Sequence, residues 1–130
     1  MKNLSIRNYR DTFELADKDI DGDLSSMQQE VDGHIETVTI AKDLVLVCDE
    51  EGRLKDRPVS VCLVYPDHES GEDAKYAVGI HGDCFICQRT EGDLVSLSRK
   101  KRDLLINHIM EKRIGIPCID IEIIREEMKA

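Results

Sequence analysis

The segment Leu44–Cys48 constrains the fold most, because all of its residues are apolar and two of them are β-branched. A run this short and this apolar is typical of a strand that is buried on both faces of a sheet. Directly after it, the Asp-Glu-Glu-Gly sequence at 49–52 predicts a turn in which Gly52 can take a positive φ. We therefore expect a central strand that is followed by a tight turn.

Other segments predict the neighbours of this strand. Residues 35–40 alternate apolar and polar side chains, which indicates a half-buried strand. The same kind of reasoning predicts further strands at 59–65, 76–80, 84–87 and 118–123.

Two segments predict helices. Ser25 or Ser26 can cap a short helix that runs through Val31 and ends at Gly33. Apolar residues with a period of 3.6 predict a longer helix over 98–113. We therefore expect a single domain over 1–130 with an α+β fold. It would contain a mostly antiparallel sheet of about five to six strands, a short N-terminal-side helix and one longer C-terminal-side helix.

Charge is distributed unevenly along the chain. The net charge is −9, but residues 11–73 hold 18 acidic and five basic residues, a net of −13, and the rest carries +4. This acidity and an aromatic content of 4% argue against direct nucleic-acid binding. Clustered like charge favours a basic partner surface. The residues that we expect to contact such a partner are Asp17, Asp19, Asp21, Asp23, Asp49, Glu50 and Glu51.

Two alternatives to an external partner use the same charges. The acidic face can simply be solvated and keep the protein in solution. The basic run at 99–102 can also dock on the acidic segment of its own chain or of a second copy. The sequence leaves the identity of any partner and the oligomeric state open.

Neither a membrane span nor a secretory signal is evident. No apolar run approaches the roughly 20 residues that cross a bilayer, and the first residues lack an apolar signal core. Five cysteines are an odd number, which favours free thiols over a disulfide framework. We therefore expect a cytoplasmic protein without a membrane partner.

A possible calcium loop lies at residues 17–28. Asp17, Asp19 and Asp21 stand at positions 1, 3 and 5 of an EF-hand-like pattern, and Gly22 stands at position 6. Position 12, however, is Gln28 instead of the bidentate glutamate that calcium requires. The alternative is an Asp/Gly-rich turn that joins an N-terminal strand to the first helix.

A possible zinc site lies at His81, Cys84 and Cys87. The two cysteines have the spacing of zinc ligands, and His81 is close in sequence. If 84–87 is a strand, however, Cys84 and Cys87 point to opposite faces and cannot bind one ion. We therefore expect buried thiols and no cofactor, with calcium and zinc as the metal-binding alternatives.

Signatures of catalysis are absent from the sequence. It contains no nucleophile elbow, no phosphate-binding loop, no metalloprotease helix and no dinucleotide-binding glycine motif. We expect no catalytic residues, and a small enzyme of unknown type remains an alternative.

Several short motifs together resemble an uncharacterised domain family of gut bacteria, phages and other mobile elements. The similarity covers about 27–98. The matching segments are residues 28–36 (QQEVDGHIE), 44–54 (LVLVCDEEGRL), 80–86 (IHGDCFI) and 97–98. The chain departs from the family pattern at Asp32, His34 and Ser60. The resemblance implies no activity or catalytic residue.

What the resemblance implies is a genomic setting. Small acidic proteins of mobile elements often bind host machinery and present carboxylates to grooves that otherwise hold nucleic acid. Our leading hypothesis is therefore a non-catalytic interaction domain that inhibits a nucleic-acid-handling enzyme of the host. In its specific form the protein is an anti-CRISPR or anti-restriction inhibitor.

Overall fold

The structure is a computed structural model that describes residues 1–9, 12–112 and 115–129, without the side chains of 110–112. Within this part of the chain there are nine strands and three helices. In chain order they are β1 (Lys2–Asn8), β2 (Phe13–Asp19), α1 (Leu24–Val31), β3 (Ile35–Ala41), β4 (Leu44–Asp49), β5 (Val59–Pro66), β6 (Lys75–His81), β7 (Cys84–Thr90), β8 (Asp93–Val95), α2 (Arg99–Lys112), β9 (Cys118–Asp120) and α3 (Ile121–Glu127). The α+β class is confirmed.

Six strands form one antiparallel sheet in the order β2-β1-β7-β4-β3, and β8 pairs with β7. β4 lies between β7 and β3, and every one of its residues is buried. Leu44 and Leu46 face the larger apolar core, whereas Val45 and Val47 face a smaller one. The prediction of a central strand at 44–48 is confirmed, and burial on both faces explains why its sequence does not alternate.

A second sheet has three strands in the order β6-β5-β9, with β9 parallel to β5. The larger core combines residues from both sheets with α2 and α3, including Leu63 and Leu105. The smaller core lies under α1, where Met27 and Val31 meet the other face of β4 and β7. This second sheet was not predicted.

The helix boundaries differ in detail from those predicted. Asp23, not Ser25 or Ser26, caps α1, because its Oδ1 accepts the Ser26 N–H at 2.7 Å. The helix ends at Asp32, which takes the left-handed conformation with φ of 56°. The longer helix is confirmed as Arg99–Lys112, and the predicted last residue, 113, lies outside the described residues.

The predicted strand at 118–123 is wrong in its second half. β9 ends at Asp120, whose carboxylate accepts the Ile123 N–H at 3.2 Å and so caps a third helix, α3. In α3, Ile121 and Ile124 are buried at a spacing of three residues. In this segment the aspartate cap thus favours a helix, although the sequence alternates as in a strand.

Candidate functional site

The segments that carry the family resemblance meet around the turn at residues 50–58, which we call the EEG loop. The Glu50 N–H donates to the His34 carbonyl at 2.9 Å, which joins the loop to the start of β3. The Gly82 N–H donates to the Pro58 carbonyl at 2.9 Å, which joins the end of the loop to the β6–β7 turn. Three segments that are distant in sequence thus form one site.

Asp49 is the buried charged group of this site. The residue is 5% exposed, and its carboxylate accepts from Lys55 Nζ at 2.8 Å and from the Glu51 N–H at 2.9 Å. Arg57 Nε lies 3.7 Å away. Burial opposes ionisation, but the hydrogen bonds from Lys55 and Glu51 and the nearby cations outweigh it, so the pKa of Asp49 is lowered. The group therefore stays ionised as part of the fold.

Two glycines allow the EEG loop to pack this closely. A Cβ at Gly33 would lie within 2.7 Å of Cγ and both carboxylate oxygens of Asp49. A Cβ at Gly52 would fall on the backbone carbonyl oxygen of His81. Gly52 was expected to take a positive φ, but in this turn it is Asp56 that does so, at 59°. Close approach, not backbone conformation, is thus the reason for glycine at 33 and 52.

Arg57 connects the three segments. Its guanidinium donates to the Asp32 carboxylate at 2.7 Å, and its carbonyl oxygen lies 2.8 Å from His81 Nδ1. Its side chain also packs on Gly82, where a Cβ would lie 2.9 Å from Arg57 Cδ. The hydrogen bond with Asp32 raises the pKa of Arg57 further. These contacts hold the loop in place and supply no nucleophile–base pair.

Two surface cavities contain candidate residues. A shallow cavity of about 530 Å³ lies beside the EEG loop, and its lining is Ser25, Gln28, Gln29, Asp32, Gly33, His34, Glu51 and Lys55. A larger groove of about 1080 Å³ runs between the sheet edge and the start of α2. It is lined by Lys2, Asn3, Asp17, Lys18, Asp19, Leu97, Ser98, Arg99, Arg102 and Asp103. Both linings contain side chains of opposite charge.

Four of the seven predicted contact acids are engaged within the chain. Asp17 binds Arg102 through both oxygens at 2.8 and 2.9 Å, and Asp19 binds the amino group of Met1 at 2.8 Å. Asp23 caps α1, and Asp49 is buried. Asp49 therefore cannot contact a partner directly, which corrects the sequence-based expectation.

The other three acids remain available. Asp21, Glu50 and Glu51 are exposed, and no cation of the described residues forms an ion pair with them. Part of the basic run does dock on the acidic segment of its own chain, because Lys101 binds Asp43 in addition to the Arg102 contact. The internal alternative is thus realised for some of the acids.

The calcium candidates do not converge. Asp17 and Asp19 lie in β2 instead of a loop, and their carboxylates bind Arg102 and the Met1 amine. Asp21 follows in the connection to α1. In the described part of the chain, no group of three His, Cys, Asp or Glu side chains is placed to hold a metal ion.

The zinc candidates diverge as well. Cys84 faces the larger core beside Ser60, whereas Cys87 faces the smaller core. His81 is turned to the Arg57 carbonyl. Burial raises the pKa of Cys84 to about 12 and that of Cys87 to about 11, so both remain protonated thiols.

One acidic surface was missed by the sequence-based analysis. The β5–β6 turn at 67–73 contains Asp67, Glu69, Glu72 and Asp73, and the last three are exposed. The signal for it was present, because no lysine or arginine occurs between Arg57 and Lys75.

No helix in the described residues has the length and apolar character that a membrane crossing requires.

Comparison with known proteins identifies the family. Searches of curated proteins and of solved structures found no significant match. The model of the family described as "Domain of unknown function (DUF3846)" matches residues 3–111, which is most of the chain. The chain belongs to this DUF3846 family.

Proposed function

We propose that this protein is a non-catalytic interaction domain that binds a basic protein surface. The observation that carries the proposal is a set of exposed carboxylates that form no close ion pair with a cation of the described residues. We call these the open acids: Asp21, Glu50, Glu51, Glu69, Glu72 and Asp73. Glu50 and Glu51 are adjacent in one turn, and Glu69, Glu72 and Asp73 lie together in another. Like charges this close repel each other, and a cationic partner relieves that repulsion.

The placement of three open acids favours a contact along α1. Asp21 lies just before α1, and the backbone of Glu50 is bonded to His34, just after α1. Eight helical residues span about 12 Å, so acids flank both ends of a short helix. Phosphates repeat along one strand at about 3.4 Å, so a separation of about 12 Å corresponds to cations that bind phosphates three or four positions apart.

The buried network around Asp49 supports the same role. Lys55 and Arg57 neutralise Asp49 and Asp32 from inside the loop, so they do not cancel the charge of Glu50 and Glu51. The glycine contacts and hydrogen bonds fix the loop before a partner arrives. A preformed loop loses less conformational entropy on binding.

In its specific form, the proposal is a cytoplasmic anti-defence protein of phage or mobile-element origin. The partner would be a CRISPR nuclease or a restriction enzyme of the host, bound at the groove that receives nucleic acid. The similarity of the motif segments to a family from phages and mobile elements favours this form. Exposed charges are screened beyond about 8–10 Å at physiological salt, so binding should weaken steeply as salt increases.

Phage plaquing tests this form of the proposal. The chain is expressed in bacteria with an active CRISPR or restriction system, and the plaquing efficiency of a targeted phage is measured. We expect the wild type to raise plaquing, and the triple variant Asp21→Lys, Glu50→Lys and Glu51→Lys to return it to the level without the protein.

The matched control is the triple variant Glu91→Lys, Asp93→Lys and Glu126→Lys, which has the same charge change on exposed acids outside 11–73. It should plaque like the wild type. Equal loss in both variants would show that only net charge matters. For the wider proposal, partners captured at low salt are eluted with salt and identified. A wild type that retains no basic protein, or an acid variant that retains the same ones, contradicts it.

A further inference from the structure

Cys62 and Cys118 face each other across the parallel pair β5–β9. They are register partners, and the Cys62 N–H donates to the Pro117 carbonyl at 2.9 Å, which fixes the alignment. Neighbouring strands lie about 4.8 Å apart. A disulfide accepts Cα separations of about 4.4–6.8 Å. The backbone therefore already holds the two cysteines at a distance that a disulfide can bridge.

The register brings the two thiol groups close enough to influence each other. Burial and then the neighbouring Cys118 raise the pKa of Cys62, and the Cys118 thiol donates to the Ile116 carbonyl oxygen at 3.6 Å. Both residues are half-buried, whereas Cys48, Cys84 and Cys87 are buried. This pair is thus closer to solvent than the other three cysteines, and the strand register places each cysteine opposite the other.

We propose that Cys62 and Cys118 form a redox-active dithiol that a peroxide oxidises to an intramolecular disulfide and that a thiol reductant restores. Burial raises the pKa of Cys62, so alkaline pH is needed to remove a proton from the pair. The resulting thiolate attacks hydrogen peroxide and breaks the O–O bond, and the departing hydroxide takes up the released proton, which gives a sulfenic acid and water. The second thiol then displaces the sulfenic oxygen as a second water and forms the S–S bond. Two thiols and one peroxide thus yield one disulfide and two waters.

The position of the pair gives this reaction a structural effect. β9 has three residues and lies at the edge of its sheet, and it leads directly into α3. Ile119, Ile121 and Ile124 are fully buried in the larger core. A disulfide from Cys118 to β5 would therefore link the C-terminal segment covalently to the core and limit its local unfolding.

Mass spectrometry of the whole chain tests the proposal. The purified reduced protein is treated with hydrogen peroxide at slightly alkaline pH, and intact mass and non-reducing peptide maps are recorded. We expect a loss of about 2 Da, assigned to a 62–118 link and reversed by dithiothreitol. The thermal midpoint of the oxidised protein should rise on the order of 5–10 °C.

The variants Cys62→Ser and Cys118→Ser should each abolish both the mass change and the thermal shift. Cys87→Ser is the matched control and should behave like the wild type, because Cys87 is buried on β7. Persistence of both thiols under peroxide, a link between two chains, or a link to another cysteine would overturn the proposal. Since the mass readout on the wild type needs no variant, a poorly folding variant does not affect the result.

Discussion

Replacement of Gly33 by alanine tests whether close packing against Asp49 holds the EEG loop. A methyl group at this position would lie within 2.7 Å of three carboxyl atoms. Those atoms cannot move freely, because Lys55, Arg57 and the Glu51 N–H all hold the carboxylate. We therefore expect a clash that the fold relieves only by displacing the buried charge.

The magnitude follows from two costs. Overpacking a well-packed site costs about 1–3 kcal/mol, and loss of hydrogen bonds to a charged group costs about 1.5–3 kcal/mol each. We expect Gly33→Ala to lower the free energy of unfolding by about 2–5 kcal/mol. This is a large part of the roughly 5–15 kcal/mol that keeps a domain folded.

A double-mutant cycle distinguishes this clash from a general effect of alanine. Asp49→Ala removes the three atoms that the new methyl group would meet. In that background Gly33→Ala should be neutral or stabilising by about 0.4–1 kcal/mol, because alanine restricts the unfolded chain. The expected coupling between the two sites is therefore at least about 2 kcal/mol.

Urea unfolding followed by circular dichroism measures all four proteins of the cycle. Gly22→Ala is the matched control, because a Cβ there would meet only Met1 Cβ at 4.0 Å. It should change the free energy of unfolding by less than about 1 kcal/mol. Additive effects of Gly33→Ala and Asp49→Ala would refute the packing argument.

Three further predictions concern the EEG loop and the ion pair between Asp17 and Arg102. Gly52→Ala should destabilise the protein by at least about 2 kcal/mol, and Asp49→Ala should not rescue it, because the clash is with the His81 backbone; urea unfolding of the pair checks this. Because the folded pKa of Asp49 is lowered, its stabilising contribution is present above about pH 4 and is lost as pH falls through the folded pKa. The difference in unfolding free energy between wild type and Asp49→Asn should therefore shrink below about pH 4. The hydrogen bond from Arg102 lowers the pKa of Asp17, so Arg102→Ala should raise that pKa in an NMR titration while costing under about 1 kcal/mol of stability.

The central sheet could be predicted because its strands are apolar in short, recognisable runs. β3, β4, β5 and β7 all have buried residues that a sequence pattern reveals. β2 was harder, because it is an edge strand with a largely polar sequence that includes Asp17 and Asp19. At the C-terminus, the same isoleucines fit both the alternation of a strand and the spacing of a helix. Only the cap at Asp120 shows where the helix begins.

The candidate site could be predicted only in part. The sequence identifies Glu50 and Glu51 as surface acids, since they lie in a turn after a buried strand. It cannot assign internal partners, because Asp17 and Arg102 are separated by 85 positions. Asp49 illustrates the same limit, since its burial depends on Gly33 and on the β6–β7 turn, which are distant in sequence.

The parallel pairing of β5 with β9 has a consequence for synthesis on the ribosome. β9 is made more than fifty residues after β5, which at about 5–20 residues per second is an interval on the order of 3–11 seconds. During this interval Leu63 and its neighbours lack the isoleucines of β9 and α3 that complete their core. The nascent chain therefore exposes one strand edge and an apolar surface that chaperones can bind, and the domain completes its fold only after α3 has emerged.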